Sequence, residues 1–145
     1  MPAKKKHDQQ ELQTKYIQLQ LLKQQLKEMI ETRNTLVERM KELLVSTDAL
    51  EKLGGVKKGE EIWSSIGSSA FVKSDIKDTE NVLVGVGSGI VIKETRPKAI
   101  EILQARIGEL KKIDQELISE LTKFAQAIEM LEPQVEQLMH EQQEE

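Results

Sequence analysis

Between Asn81 and Thr95 the chain reads NVLVGVGSGIVIKET. Gly85, Gly87 and Gly89 alternate with other residues, and such a run suits either a phosphate-cradling loop or a tight turn between strands. A phosphate loop needs a helix directly behind it, because the helix N-terminus supplies free N–H groups and the positive end of the dipole. Here Gly89 leads into Ile90-Val91-Ile92, three strand-favouring residues, and no helix starts before Pro97. The spacing is not G-x-G-x-x-G, and no GK[ST] follows. The stretch is therefore a β-hairpin, and it implies no nucleotide or other cofactor. Gly87 or Gly89 supplies the positive φ of its turn. Val82, Val84 and Val86 line one face, and Gly85 on the other permits close approach of another backbone.

Working outward, Glu60 to Ile76 repeats the pattern. EEIWSSI and AFVKSDI are strand-like runs separated by Gly67-Ser68-Ser69. Lys77-Asp78-Thr79-Glu80 separates them from the glycine-rich hairpin. The centre is thus two hairpins, about four strands. Isolated hairpins are marginal in water, and their unpaired edges invite strand addition. Such a chain completes its sheet with other subunits. The candidate assembly residues are Trp63, Ile66, Phe71 and Val72 in the first hairpin. In the second they are Val82, Val84, Val86, Ile90 and Ile92.

Seven of the eight glycines lie between Gly54 and Gly89. The flanks are rich in Leu, Glu, Gln and Lys, and both follow a heptad. In the first, a is Leu12, Leu19, Leu26, Arg33 and Met40, and d is Lys15, Leu22, Met29, Leu36 and Leu43; eight of these ten are apolar. Gly54-Gly55 ends that helix. In the second, a is Ile100, Ile107, Asp114, Leu121, Ile128 and Val135. Its d positions are Leu103, Leu110, Leu117, Phe124, Leu131 and Leu138, so that eleven of twelve are apolar. Sustained heptads argue for a coiled coil rather than a globular amphipathic helix. The two helices pair as an antiparallel hairpin. Setting Leu50 near Ile100 makes every a meet a d, with Leu26 against Phe124 and Leu43 against Ile107. That register also places Arg33 and Asp114, the polar a residues, in adjacent layers. The expected organisation is residues 1–53 as the first helix, 54–96 as the double hairpin, and 97–145 as the second helix and tail. The fold class is α+β.

Helix 1 also carries apolar e positions, Tyr16, Ile30, Val37 and Leu44. A two-stranded coil needs no such width. Packing against the central segment or a neighbouring subunit is the first explanation, a surface for client proteins the second. Pro133 interrupts helix 2 at an f position. It is expected to bend or loosen the helix end and free Val135, Leu138 and Met139; ending the helix near Glu132 is the alternative.

Composition excludes several functions. The net charge is −4, with both signs interleaved, so no basic face points to nucleic acid; Lys4, Lys5 and Lys6 suit solubility. There is no cysteine and hence no thiol chemistry. The N-terminus lacks the apolar core of a secretory signal, no run approaches a membrane span, and the expected compartment is the cytoplasm. His7 and His140 lack a third ligand, so no metal site is expected. No Ser/His/Asp set sits on a strand-to-helix elbow, and an enzyme is not expected.

The layout helix, two hairpins, helix resembles the prefoldin alpha-subunit family. Ile76 to Ile107, IKDTENVLVGVGSGIVIKETRPKAIEILQARI, is similar to the family's D-x-x-x-V-L-V-x-V-G-x-G run and the A-[IM]-E-type helix start behind it. Ile66 to Ile76, IGSSAFVKSDI, is similar to its first hairpin. Trp63-Ser64-Ser65-Ile66-Gly67 departs from the family's apolar-Pro-apolar-Gly run, which leaves an ordinary alpha subunit and a divergent paralogue with altered partner choice both open. The resemblance implies a hexamer with prefoldin beta subunits, two alpha and four beta. Its hairpins close into an inter-subunit β-barrel platform, and its coiled-coil tips hold unfolded proteins without ATP and pass them to a group II chaperonin. The client-binding candidates at the tips are Leu12, Tyr16, Ile17, Leu19, Met130, Leu131, Val135, Leu138 and Met139. A structural coiled-coil assembly or tethering protein without client binding is the competing expectation.

Overall fold

The computed structural model describes residues 2–144. Helix α1 runs Pro2–Leu53, followed by strands β1 Glu61–Ser65, β2 Phe71–Asp75, β3 Asn81–Gly87 and β4 Ile90–Thr95, and then helix α2 Arg96–Gln143. The four strands form two separate antiparallel hairpins, β1 with β2 and β3 with β4. The chain divides into two compact units, each taking part of both helices. One comprises residues 1–37 and 112–145, the other 38–111.

In the first of these units the heptad residues of α1 and α2 face each other. Leu19 and Val135 are buried, at 4% and 3% exposure. Arg33 Nε donates to Asp114 Oδ1 at 2.8 Å, as the antiparallel register requires. Lys15 Nζ donates to Gln134 Oε1 at 2.9 Å, and Lys23 pairs with Glu132 at 2.8 Å. Pro133 neither ends α2 nor frees Val135, contrary to the expectation from sequence. At an f position its ring points away from the partner helix. The seam closes beneath it, and α2 continues to Gln143.

In the second unit α1 ends at Leu53 through tight i→i+3 bonds, Gly54 N–H to the Glu51 carbonyl and Gly55 N–H to that of Lys52. Neither glycine has positive φ. A Cβ at Gly54 would lie 2.8 Å from the Arg96 guanidinium carbon, a flexible group that could withdraw. Helix α2 starts at Arg96 with Thr95 as its cap: Thr95 Oγ1 accepts the Lys98 N–H at 3.4 Å. Pro97 falls in the first turn, where its missing N–H leaves no bond unmade. The Arg96 N–H is taken by the Glu80 carbonyl at 2.7 Å. Asp78 folds the link between the hairpins by accepting N–H bonds from Glu80 and Asn81 at 2.8 and 3.0 Å. Those bonds hold its carboxyl below the usual carboxylate range.

The core of this unit joins the second hairpin to the helices. Leu43, Val84, Ala99, Leu103 and Ile107 are buried, with Leu50, Val82, Ile92, Ile102 and Leu110 packed around them. Cross-strand pairing of Val84 with Ile92 sets both on the helix side. Arg106 Nη1 ties the same face down by donating to the Gly85 carbonyl at 3.2 Å.

Candidate functional site

The hairpins and the exposed helix side chains are the two surfaces that the sequence marks for function. In the glycine-rich hairpin, Gly87 pairs with Ile90 and leaves Ser88 and Gly89 as a two-residue turn. Their φ values are +53° and +74°. Positive φ at both central positions is the mirror-image turn whose twist matches the strands. Gly87 itself lies at +111°, so both candidate glycines need the left-handed region, and Ser88 with them. The register shifts between Gly85 and Gly87, which leaves Val86 without a partner as a β-bulge. This corrects the simple alternation: Val82 and Val84 share the inward face, whereas Val86 is exposed. Within this chain a Cβ at Gly85 would meet nothing within 4 Å.

Outside that inward face, the hairpins are apolar and uncovered. Leu83 and Val91 are exposed on the far side of the second hairpin, and Ile90 beside its turn. In the first hairpin Trp63, Ile66, Phe71 and Val72 are all exposed, Trp63 at 68%. Trp63 stands opposite Lys73, whose ammonium lies 6.0 Å from the ring centroid and 2.8 Å from Glu61. Uncovered apolar area and unpaired strand edges of this kind are features of surfaces that join other chains. Of the assembly candidates, Val84 is taken up by the chain's own core and Val82 and Ile92 pack against it. Leu83, Val91 and Ile62 join the exposed set. They were legible as the second apolar face of the runs VLV and IVI and as the apolar neighbour of Trp63.

On the helices of the other unit, Tyr16, Ile17, Met130 and Met139 are exposed, as expected of client-binding candidates. Leu12, Leu131 and Leu138 are half-buried. Leu19 and Val135, by contrast, are buried in the seam. Leu21, at a c position, is exposed and was missed, since no heptad rule singles out one leucine on the outer face. No group of three or more metal-ligating side chains occurs among the described residues. No helix of the described residues is long and apolar enough to cross a membrane.

The family model for prefoldin subunits matches residues 22–141. The chain belongs to the prefoldin subunit family. Its similar relatives include the prefoldin subunit alpha of Methanosarcina barkeri, 32% identical over 94 residues, 65% of each chain. The prefoldin subunit alpha of Methanococcus aeolicus is 27% identical over 128 residues, 88% of this chain and 87% of that one. The aligned stretch thus spans about two thirds of the first relative and most of the second. In fold, the chain is similar to a filamentous PFD from Methanocaldococcus jannaschii solved by cryo-electron microscopy, with a TM-score of 0.70 and 20% identity over 78% of this chain and 93% of that one. It is also similar to the crystal structure of the prefoldin beta subunit from Thermococcus strain KS-1, with a TM-score of 0.56 and 16% identity over 88% and 90% of the two chains. Family membership implies a chaperone-type subunit.

Proposed function

We propose that the chain is an alpha-type subunit of a cytoplasmic prefoldin hexamer, a holdase that captures unfolded proteins without ATP and passes them to a group II chaperonin. The relatives named as alpha subunits support an alpha-type chain; pairing with beta subunits, two alpha to four beta, is part of the proposal. The uncovered apolar faces of the hairpins support assembly through strands of neighbouring subunits. The observation that carries client capture is the exposure of large apolar side chains on the outer faces of the helix pair, Ile17 at 65% and Met130 at 71%. Neither belongs to the seam. Methionine, flexible and polarizable, suits contact with sequences of no fixed shape. A tether with no clients would carry polar residues there. The test is aggregation of a chemically denatured enzyme diluted into buffer without ATP. The complex formed with beta subunits is expected to suppress scattering at stoichiometric amounts. Unchanged aggregation in the presence of the intact complex would refute the holdase reading.

A further inference from the structure

The chain has no cysteine, so its only sulfur is in five methionine thioethers, Met1, Met29, Met40, Met130 and Met139. Met1 lies outside the described residues. The other four fall into two pairs. Met29 and Met40 take d and a positions of α1 and are half-buried. Met130 and Met139 take c and e positions of α2 and are exposed, Met130 at 71% and Met139 at 44%. One helical turn from Met130 stand Gln126, Ala127, Pro133 and Gln134, so no aromatic or branched aliphatic side chain of α2 covers its sulfur. An oxidant dissolved in water therefore reaches the second pair more readily than the first. The exposed pair also makes up half of the four uncovered side chains Tyr16, Ile17, Met130 and Met139, the ones assigned above to clients.

We propose that Met130 and Met139 form a reversible oxidation site through which peroxides turn client capture down, an inference that rests on the holdase reading. In the forward step a sulfur lone pair attacks one oxygen of a hydroperoxide. The S–O bond forms as the O–O bond breaks, the thioether becomes a sulfoxide, and the peroxide is reduced to water or an alcohol. In the return step a thiol-dependent reductase removes that oxygen as water, and two thiols become one disulfide. The oxidised side chain is polar and holds water at its S=O oxygen, so it loses the apolar, adaptable contact that the thioether gives. Met29 and Met40 keep their thioethers, so the seam stays apolar and the helix pair stays closed. Oxidation thus acts on capture and spares assembly. Where a client is held by several weak contacts at once, the loss of two on each chain compounds.

The test treats the full chain, in its assembled complex, with dilute hydrogen peroxide. Peptide mass spectrometry follows the oxygen gained at each methionine, native mass spectrometry the oligomer, and aggregation of a denatured enzyme the capture. Met130 and Met139 are expected to oxidise several-fold faster than Met29 and Met40. Capture is expected to fall several-fold at unchanged oligomer mass, and to recover when methionine sulfoxide reductases and a dithiol are added. A complex carrying Met130→Leu and Met139→Leu is expected to keep after peroxide whatever capture it had before. Oxidation of Met29 and Met40 as fast as that of Met130 and Met139 would overturn the site. Undiminished capture by the oxidised complex, no recovery with the reductases, or an equal loss in the leucine variant would overturn its effect on capture. The untreated complex judges the holdase reading separately: if it captures nothing, that reading fails and the switch with it, while the order of oxidation still decides the site.

Discussion

Gly89 sits at a φ of +74° and Ser88 at +53°. An L side chain in the left-handed region costs about 1–2 kcal/mol, and a β-branched one more. Gly89→Val is therefore expected to lower the melting temperature of the complex and to weaken its assembly. Ser88→Gly is expected to raise stability by up to about 1 kcal/mol, because glycine occupies that φ without penalty. A neutral Gly89→Val in a thermal melt would contradict the turn geometry. Arg33 and Asp114 make the second prediction at this scale. Their hydrogen bond at 2.8 Å is only half-buried, with the arginine side chain 38% exposed and the aspartate 16%. A double-mutant cycle with leucine at each position is expected to give a coupling of about 1 kcal/mol, between a surface and a buried pair. The double variant is expected to be at least as stable as the parent. A coupling indistinguishable from zero would show that the pair does not help set the register.

At the scale of elements, much was legible because the relevant periods are long or the signals strong. Eleven apolar residues at twelve heptad positions left little choice for α2, and Ile90-Val91-Ile92 behind Gly89 ruled out a helix there. The antiparallel register was legible too, from one arginine and one aspartate that each needed a partner. What was not legible depended on single-residue irregularities. The bulge that sets Val86 aside needs one extra residue in a strand, and alternation carries no mark of it. Pro133 was misread because its cost was assigned to the seam, whereas an f-position ring removes one backbone bond and leaves the buried side intact. Pro133→Ala should accordingly return the bond to the Glu129 carbonyl and stabilise α2, by up to about 3 kcal/mol on helix-propensity grounds. A fall in melting temperature would mean that the proline is needed where it stands. The hairpins make the other prediction for elements. Replacing residues 60–94 with a short turn is expected to keep the helical circular dichroism and to abolish the hexamer, read by native mass spectrometry. A full-size complex from that variant would refute assembly through the strands.

At the scale of the whole molecule, the proposed function divides two tasks by surface. In it, uncovered hairpin faces such as those of Trp63 and Phe71 would serve assembly, and outward side chains of the helix pair would serve capture. Each of the latter offers about 1–2 kcal/mol of apolar contact at ~25 cal/mol per Å². That is weak alone, but several subunits acting on one client multiply it through effective concentration. Half of this division was open to a reader of the sequence, since Tyr16, Ile17, Met130 and Met139 fall outside a and d. The other half was not, because Leu19 and Val135 look alike in sequence whether a coil end frays or stays shut. The most direct measurement is therefore aggregation suppression by a complex carrying Ile17→Ser and Met130→Ser, first shown by mass to be the same oligomer as the parent. The expected result is an intact hexamer whose capacity to hold a denatured protein falls several-fold. An intact hexamer with undiminished capacity would contradict it.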